Sequence, residues 1–304
     1  MPQANRREFL SLAAGAAAFA GSARAHGQID STFGGVPLGA QSYSFRDRSL
    51  DEAIAAMVEI GIGGCELWSN HIERGRVDPE AAAAPPVSGR RRRPDREKQR
   101  KWRETVSLEV FEKVGQQFHE AGITLRAYNY SFRDDFSDAE IGRGFEMAKA
   151  LGAKAITASA NVTTAKRVYP FAKKHQIRVG MHNHSHIRPN EFATPDDFAT
   201  ARKGMEDWIV MNLDIGHYVG AGFDPIEYIK QHHGDIVTLH IKDKTKEDEN
   251  VVFGQGDTPI NEVLQLVRDA KFGIPANIEY EYRGEDTVAE VRKCFKYCKD
   301  ALLA

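Results

Sequence analysis

Short apolar runs and longer amphipathic segments alternate along most of this chain. Residues 38–45 and 64–68 read as strands, and between them residues 50–60 repeat apolar positions every three or four residues behind Ser49, a helix cap. The same pairing returns after residue 105. Further strands are predicted over 123–130, 155–160, 178–186, 209–214, 236–242 and 276–281. Helices are predicted over 106–121, 139–151, 164–175, 195–206, 225–233, 260–270 and 287–303, with Gly152 as a helix stop. Eight strand-then-helix units in succession predict the α/β class and a single (β/α)8 TIM barrel over residues 26–304. An open doubly wound sheet is the rival architecture, but no strand is followed by a Gly-rich phosphate fingerprint.

Two stretches stand outside this rhythm. Residues 74–104 carry an Ala-Pro run and the block Arg90-Arg-Arg-Arg93 with no apolar period, which predicts a flexible basic loop inserted after strand 2. At the other exception, Asn5-Arg-Arg-Glu-Phe-Leu10 resembles a twin-arginine export box. An Ala-rich apolar stretch over 12–21 and the small-x-small site Ala23-Arg-Ala25 follow it, so residues 1–25 are expected to be a signal peptide. A periplasmic location and a mature chain with no membrane span are the expectation.

Composition narrows the function by exclusion. A formal net charge of -2 gives the whole chain no electrostatic reason to bind nucleic acid or an anionic membrane. The 41% apolar and 28% charged residues fit an ordinary globule. Cys65, Cys294 and Cys298 do not suggest a disulfide framework, and the last two share a helix face where a buried apolar role is expected. Nothing in the sequence fixes whether the chain forms oligomers.

The candidate chemistry is concentrated at strand ends. Arg178-Val-Gly-Met-His-Asn-His-Ser-His186 places His182, His184 and His186 on one face if the extended conformation persists. Three later apolar runs also close on ligand-type side chains, at Asp214, His240 and Glu279. In a barrel, the carboxyl ends of the strands meet at one mouth, so His182, Asp214, His240 and Glu279 are candidates to hold one ion. Two imidazoles with two carboxylates suit Mn, Co, Zn, Ni or Fe better than Mg or Ca.

At these residues the sequence resembles the xylose isomerase-like barrel superfamily, which includes sugar epimerases, hydroxypyruvate isomerase and inosose dehydratase. The resemblance rests on Met181-His-Asn-His184, Leu213-Asp-Ile-Gly-His217, Gly220-Ala-Gly-Phe-Asp-Pro225, Leu239-His-Ile-Lys-Asp243 and Ile278-Glu-Tyr-Glu281. It implies that the same four residues bind a divalent metal and that His217 contacts sugar hydroxyls. The epimerases usually carry a metal-binding, proton-moving Glu where this chain has His182, and an imidazole committed to an ion is a poor base.

That departure brings the chain closer to inosose dehydratase and to exported relatives acting on 3-keto-glycosides. The implied reaction is removal of the acidic proton beside a keto-sugar carbonyl, most simply as a lyase performing β-elimination. Sugar isomerisation or epimerisation is the alternative, and a non-catalytic periplasmic sugar- or metal-binding protein is the alternative of another class. Candidate proton-moving residues are Glu279, Glu66, His184 and Lys242, with His217, Trp68 and Tyr43 against the sugar.

Overall fold

The structure is a computed structural model that describes residues 27–80 and 95–304. Residues 1–25, expected to be a signal peptide, and the Arg90–Arg93 block lie outside the described residues.

A two-residue strand, β1 (Thr32–Phe33), pairs antiparallel with β2 (Val36–Gln41) and leads the chain into the barrel. The remaining strands are β3 (Gly64–Trp68), β4 (Thr124–Asn129), β5 (Ala155–Ala158), β6 (Arg178–His182), β7 (Ile209–Asp214), β8 (Ile236–Ile241) and β9 (Ala276–Ile278). From β2 to β9 every neighbour is parallel and in chain order, and β9 returns to pair with β2. The barrel is therefore closed, and no edge is left among those eight strands. The doubly wound alternative is excluded.

Local chemistry sets the helix limits. Ser49 and Glu52 form a reciprocal capping box at the start of Leu50–Ile60, and Gly61 closes that helix in the left-handed conformation. Thr194 and Asp197 repeat the box ahead of Pro195–Arg202. Cys294 and Cys298 are buried on the inner face of Thr287–Leu303, as expected of small apolar side chains. Among the described residues, no helix is long and apolar enough to cross a membrane.

The structure corrects the sequence reading in three places. The first strand stops at Gln41, and residues Ser42–Phe45 form a 3-10 turn. The histidine strand stops at His182, so the extended conformation does not carry through to His186. Residues Arg96–Thr105, expected within a flexible loop, form a helix capped by Asp95.

That helix is held by charge. Arg103, 5% exposed, makes a two-pronged pair with Glu73 at 2.8 and 3.0 Å and a third bond to Glu140 at 3.0 Å. Its guanidinium lies 4.6 Å from the ring centre of Tyr130 and 5.0 Å from that of Phe136. Arg96 reaches the second oxygen of Glu140 at 2.6 Å. Arg103→Ala would leave the buried Glu73 carboxylate without its cation, so chemical denaturation should show a loss of about 3–5 kcal/mol. A loss under about 1 kcal/mol, the range of exposed pairs, would mean that the pairing does not anchor the insertion.

Candidate metal and active site

Four side chains from four successive barrel strands meet at the carboxyl end. His182 ends β6, Asp214 ends β7, His240 lies in β8, and Glu279 follows β9 directly. All four are buried, and one ligand atom from each lies within 4.8 Å of every other. His182 Nε2 is 3.5 Å from Asp214 Oδ2 and 4.0 Å from Glu279 Oε2, and His240 Nδ1 is 3.9 and 3.1 Å from the same two oxygens. Bonds of about 2.0–2.2 Å to a shared cation put neighbouring donors roughly 3 Å apart and opposite ones roughly 4 Å apart. The spacing fits one ion after small adjustments.

Unsatisfied polarity points the same way. Both ring nitrogens of His182 are buried without a hydrogen-bond partner, a costly arrangement unless a further group meets them, and Asp214 Oδ2 beside them is met by the Lys242 ammonium at 3.1 Å. The donor set is two imidazoles and two carboxylates, and it fits a borderline divalent cation.

The backbone around Asp214 is fixed on both sides. Asn183 points away from the histidine face; its Oδ1 accepts from the Asp214 N–H at 2.9 Å, and its Nδ2 donates to the Asp214 carbonyl at 3.0 Å. Asp214 also caps Ile215–Gly220 by accepting from the His217 N–H at 2.7 Å. One carboxylate oxygen is thereby spent on the helix, and the other, Oδ2, faces the site beside the Lys242 ammonium.

Beneath the cluster the barrel interior is polar. Glu66 is fully buried; its Oε1 accepts from Thr157 at 2.7 Å and Asn129 at 3.3 Å, and its Oε2 lies 2.9 Å from His240 Nε2. Asn277 Nδ2 lies 3.4 Å from that same oxygen and 2.8 Å from Thr238. With Nε2 engaged by Glu66, His240 presents Nδ1 to the ligand cluster, which is how an outer carboxylate orients a metal-binding histidine. Both oxygens of Glu66, one of the candidate proton-moving residues, are engaged by hydrogen bonds inside the barrel. Asn129, Thr157 and Asn277 were not singled out from the sequence. The available signal was a lone polar residue inside an otherwise apolar strand.

Lys242 sits beside the ligands. Its ammonium is 3.1 Å from Asp214, 2.9 Å from Glu279, 2.7 Å from Glu281 and 3.0 Å from His217 Nε2. Burial opposes its charge, but the three carboxylates hold its pKa well above the ordinary lysine value. Burial likewise disfavours ionised Asp214 and Glu279, yet Lys242 together with the neighbouring histidines more than offsets it, and both are held below the usual carboxylate range. Glu279 Oε2 is already met by His240 at 3.1 Å and Lys242 at 2.9 Å within the cluster, which leaves it poorly placed to accept a proton from carbon.

His184 differs from its neighbours. Its ring centre is 5.0 Å from that of His182 and 5.5 Å from that of His217, it is only half-buried, and no described residue hydrogen-bonds its ring. Burial, with the adjacent His182 and Lys242, pushes its pKa down to about 3, so the ring is neutral and its lone pair free. His217 is also held well below the ordinary histidine value, first by burial and then by Lys242, and its Nδ1 meets Ser185 Oγ at 3.3 Å. His186, by contrast, is exposed and pairs with Asp248 at 3.3 Å, outside the cluster.

Tyr43 and Trp68 pack edge to face with ring centres 4.9 Å apart and stand half-buried on the first two barrel strands' side of the mouth. Burial, with Glu281 and Glu279, raises the Tyr43 pKa against the opposing charges of Arg46 and Lys242. Phe45 and Tyr128, aromatic residues near the same strand ends, are fully buried core.

A family model described as xylose isomerase-like TIM barrel matches residues 54–298. No curated protein sequence matches the chain. Among solved structures, a 3-keto-D-glucoside 4-epimerase from E. coli is 13% identical with a TM-score of 0.63, covering 87% of this chain and 99% of its own. A protein described as the probable 3-DHS dehydratase of petrobactin synthesis from Bacillus anthracis is 16% identical, with a TM-score of 0.62 and coverage of 86% and 98%. A sugar phosphate isomerase/epimerase from Parabacteroides distasonis is 17% identical, with a TM-score of 0.59 and coverage of 92% and 99%. At these identities the likeness is one of fold.

Proposed function

The chain belongs to the xylose isomerase-like TIM barrel family, and from that premise we propose a divalent-metal-dependent lyase that removes a proton beside a keto-sugar carbonyl. The observation that carries this reading is the pairing of a buried four-ligand cluster with an imidazole at its rim, His184, whose ring makes no hydrogen bond to a described residue. His182, Asp214, His240 and Glu279 would hold the cation. When bound, it supplies Lewis-acid stabilisation of the negative charge that develops on the carbonyl oxygen.

The chain's own residues divide the remaining work. His184 accepts the proton from the carbon, and Lys242, an ammonium braced by three carboxylates, presents its N–H to the departing oxygen beside His217. A carbon–carbon double bond forms as the carbon–oxygen bond breaks, and the proton lost at carbon is balanced by the one taken up by the leaving oxygen. Tyr43 and Trp68 offer an apolar face for the sugar ring. Glu66 serves as a support for His240.

Epimerisation would require a second free base on the opposite face of the carbon. The carboxylate most available for that task, Glu279, is a ligand candidate already engaged by Lys242 and His240. Epimerisation nonetheless stands as the second reading, favoured by the structural likeness to the 3-keto-D-glucoside 4-epimerase. We place the enzyme in the periplasm because Asn5-Arg-Arg-Glu-Phe-Leu10 resembles an export box.

The test is incubation of metal-loaded protein with a 3-keto-glucoside carrying a chromogenic aglycone. Released aglycone is the expected product. Epimerised sugar alone would favour the second reading, and neither product nor solvent deuterium uptake at carbon would favour a binding protein without turnover.

A further inference from the structure

The amino end of the barrel, opposite the ligand cluster, carries cations that the catalytic reading leaves unused. Arg126 in β4, Lys154 just before β5 and Arg178 at the start of β6 lie at the entry ends of three adjacent strands. With Thr238 and Pro275 from the far side they line a cavity of about 340 Å³.

Arg126 is the unusual member. Its guanidinium packs where β2 and β3 carry glycines: a Cβ on Gly64 would sit 2.1 Å from Arg126 Cζ, and one on Gly39 would sit 2.8 Å from its NH1. Side chains at those two positions would displace it. The one hydrogen bond made by the Arg126 guanidinium among the described residues is from NH1 to the Pro37 carbonyl at 3.1 Å, and no described carboxylate pairs with it. Burial without such a partner pushes its pKa down to about 10. Arg178 donates to the Gly234 carbonyl at 3.4 Å, and Lys154 makes no ion pair with a described residue. Three cations, Arg126 and Arg178 half-buried and Lys154 exposed, thus converge on one hollow with almost no anionic counterpart, although a guanidinium drawn out of water ordinarily meets a carboxylate or phosphate in two-pronged fashion.

We propose that this amino-terminal hollow binds a small tetrahedral oxyanion, phosphate or sulfate, on Arg126, Arg178 and Lys154. The hollow is enclosed enough for a small anion and lies across the barrel from the chemistry, so occupancy stabilises the fold without entering the reaction.

The experiment titrates the full chain with sodium phosphate, sodium sulfate and, at matched ionic strength, sodium chloride, followed by thermal melting and by phosphorus NMR line width for phosphate. A saturable rise in Tm with phosphate and sulfate, absent with chloride, is expected. Arg126→Gln should abolish it, Arg178→Ala and Lys154→Ala should each weaken the apparent affinity tenfold or more, and His182→Ala should leave it intact. Should Arg126→Gln fail to fold, the double variant of Arg178 and Lys154 decides. Equal shifts with chloride, or phosphate binding that survives these substitutions, would overturn the proposal. So would binding to anionic phospholipid vesicles without saturable binding of free phosphate, which would make the face a headgroup surface.

Discussion

Replacing His184 with Ala is expected to lower kcat on a 3-keto-glycoside by roughly 10²–10⁴-fold, the usual contribution of a positioned general base. Metal content should be unchanged. The expectation follows from the position of the ring: it stands beside the ligand cluster, half-buried, with no described hydrogen bond to either nitrogen. A structural histidine would show the opposite pattern, with both nitrogens engaged and stability rather than turnover falling on substitution. Steady-state kinetics alongside a melting curve separate the two. Loss of turnover with the melting temperature and bound metal retained supports the base; retained turnover would move that role to another residue.

The second large effect is expected at Asp214. Asp214→Asn keeps an oxygen that can cap Ile215–Gly220, because asparagine caps helices about as well as aspartate. It removes the charge and one oxygen from the ligand set. The fold should therefore survive while metal affinity falls by more than the roughly 10–100-fold seen when outer-shell partners are lost. Stability carries the signature. Wild type in metal at a hundred times its Kd should gain about 2.7 kcal/mol on binding. The variant should gain nothing measurable at the same concentration, and turnover should vanish with the metal.

The residues that close strands were legible in the sequence because closed-barrel geometry assigns them a shared destination. Once eight strand-helix units were visible, residues scattered from His182 to Glu279 had to meet at one mouth. Where a strand ends is a weaker signal. The His184 N–H bonds to the Phe192 carbonyl at 2.8 Å, so the chain after His182 is organised by a loop contact ten residues downstream of the strand end. That contact turns His186 outward and cannot be read from alternation.

The helix Arg96–Thr105 was hidden for another reason. Its anchoring side chains are Arg96 and Arg103, and their partners Glu73 and Glu140 lie far away in sequence. Apolar periodicity reports burial of hydrocarbon and misses a segment docked through buried charge. Glu66 was visible as a carboxylate at a strand end, but its role depends on register. Parallel pairing of β3, β4 and β5 brings Asn129 and Thr157 onto its oxygens, leaving it a support beneath His240.

The central claim is that His182, Asp214, His240 and Glu279 share one divalent cation, and metal analysis of the purified chain tests it most directly. Wild type and His182→Ala are each stripped with chelator, reloaded with manganese, cobalt or zinc, desalted, and assayed for metal per chain and for turnover. One equivalent and restored activity in wild type, with neither in the variant, is the expected result. Equal metal in both proteins, or full turnover in the stripped wild type, would contradict it and leave the Lys242 ammonium as the positive charge on which the chemistry depends.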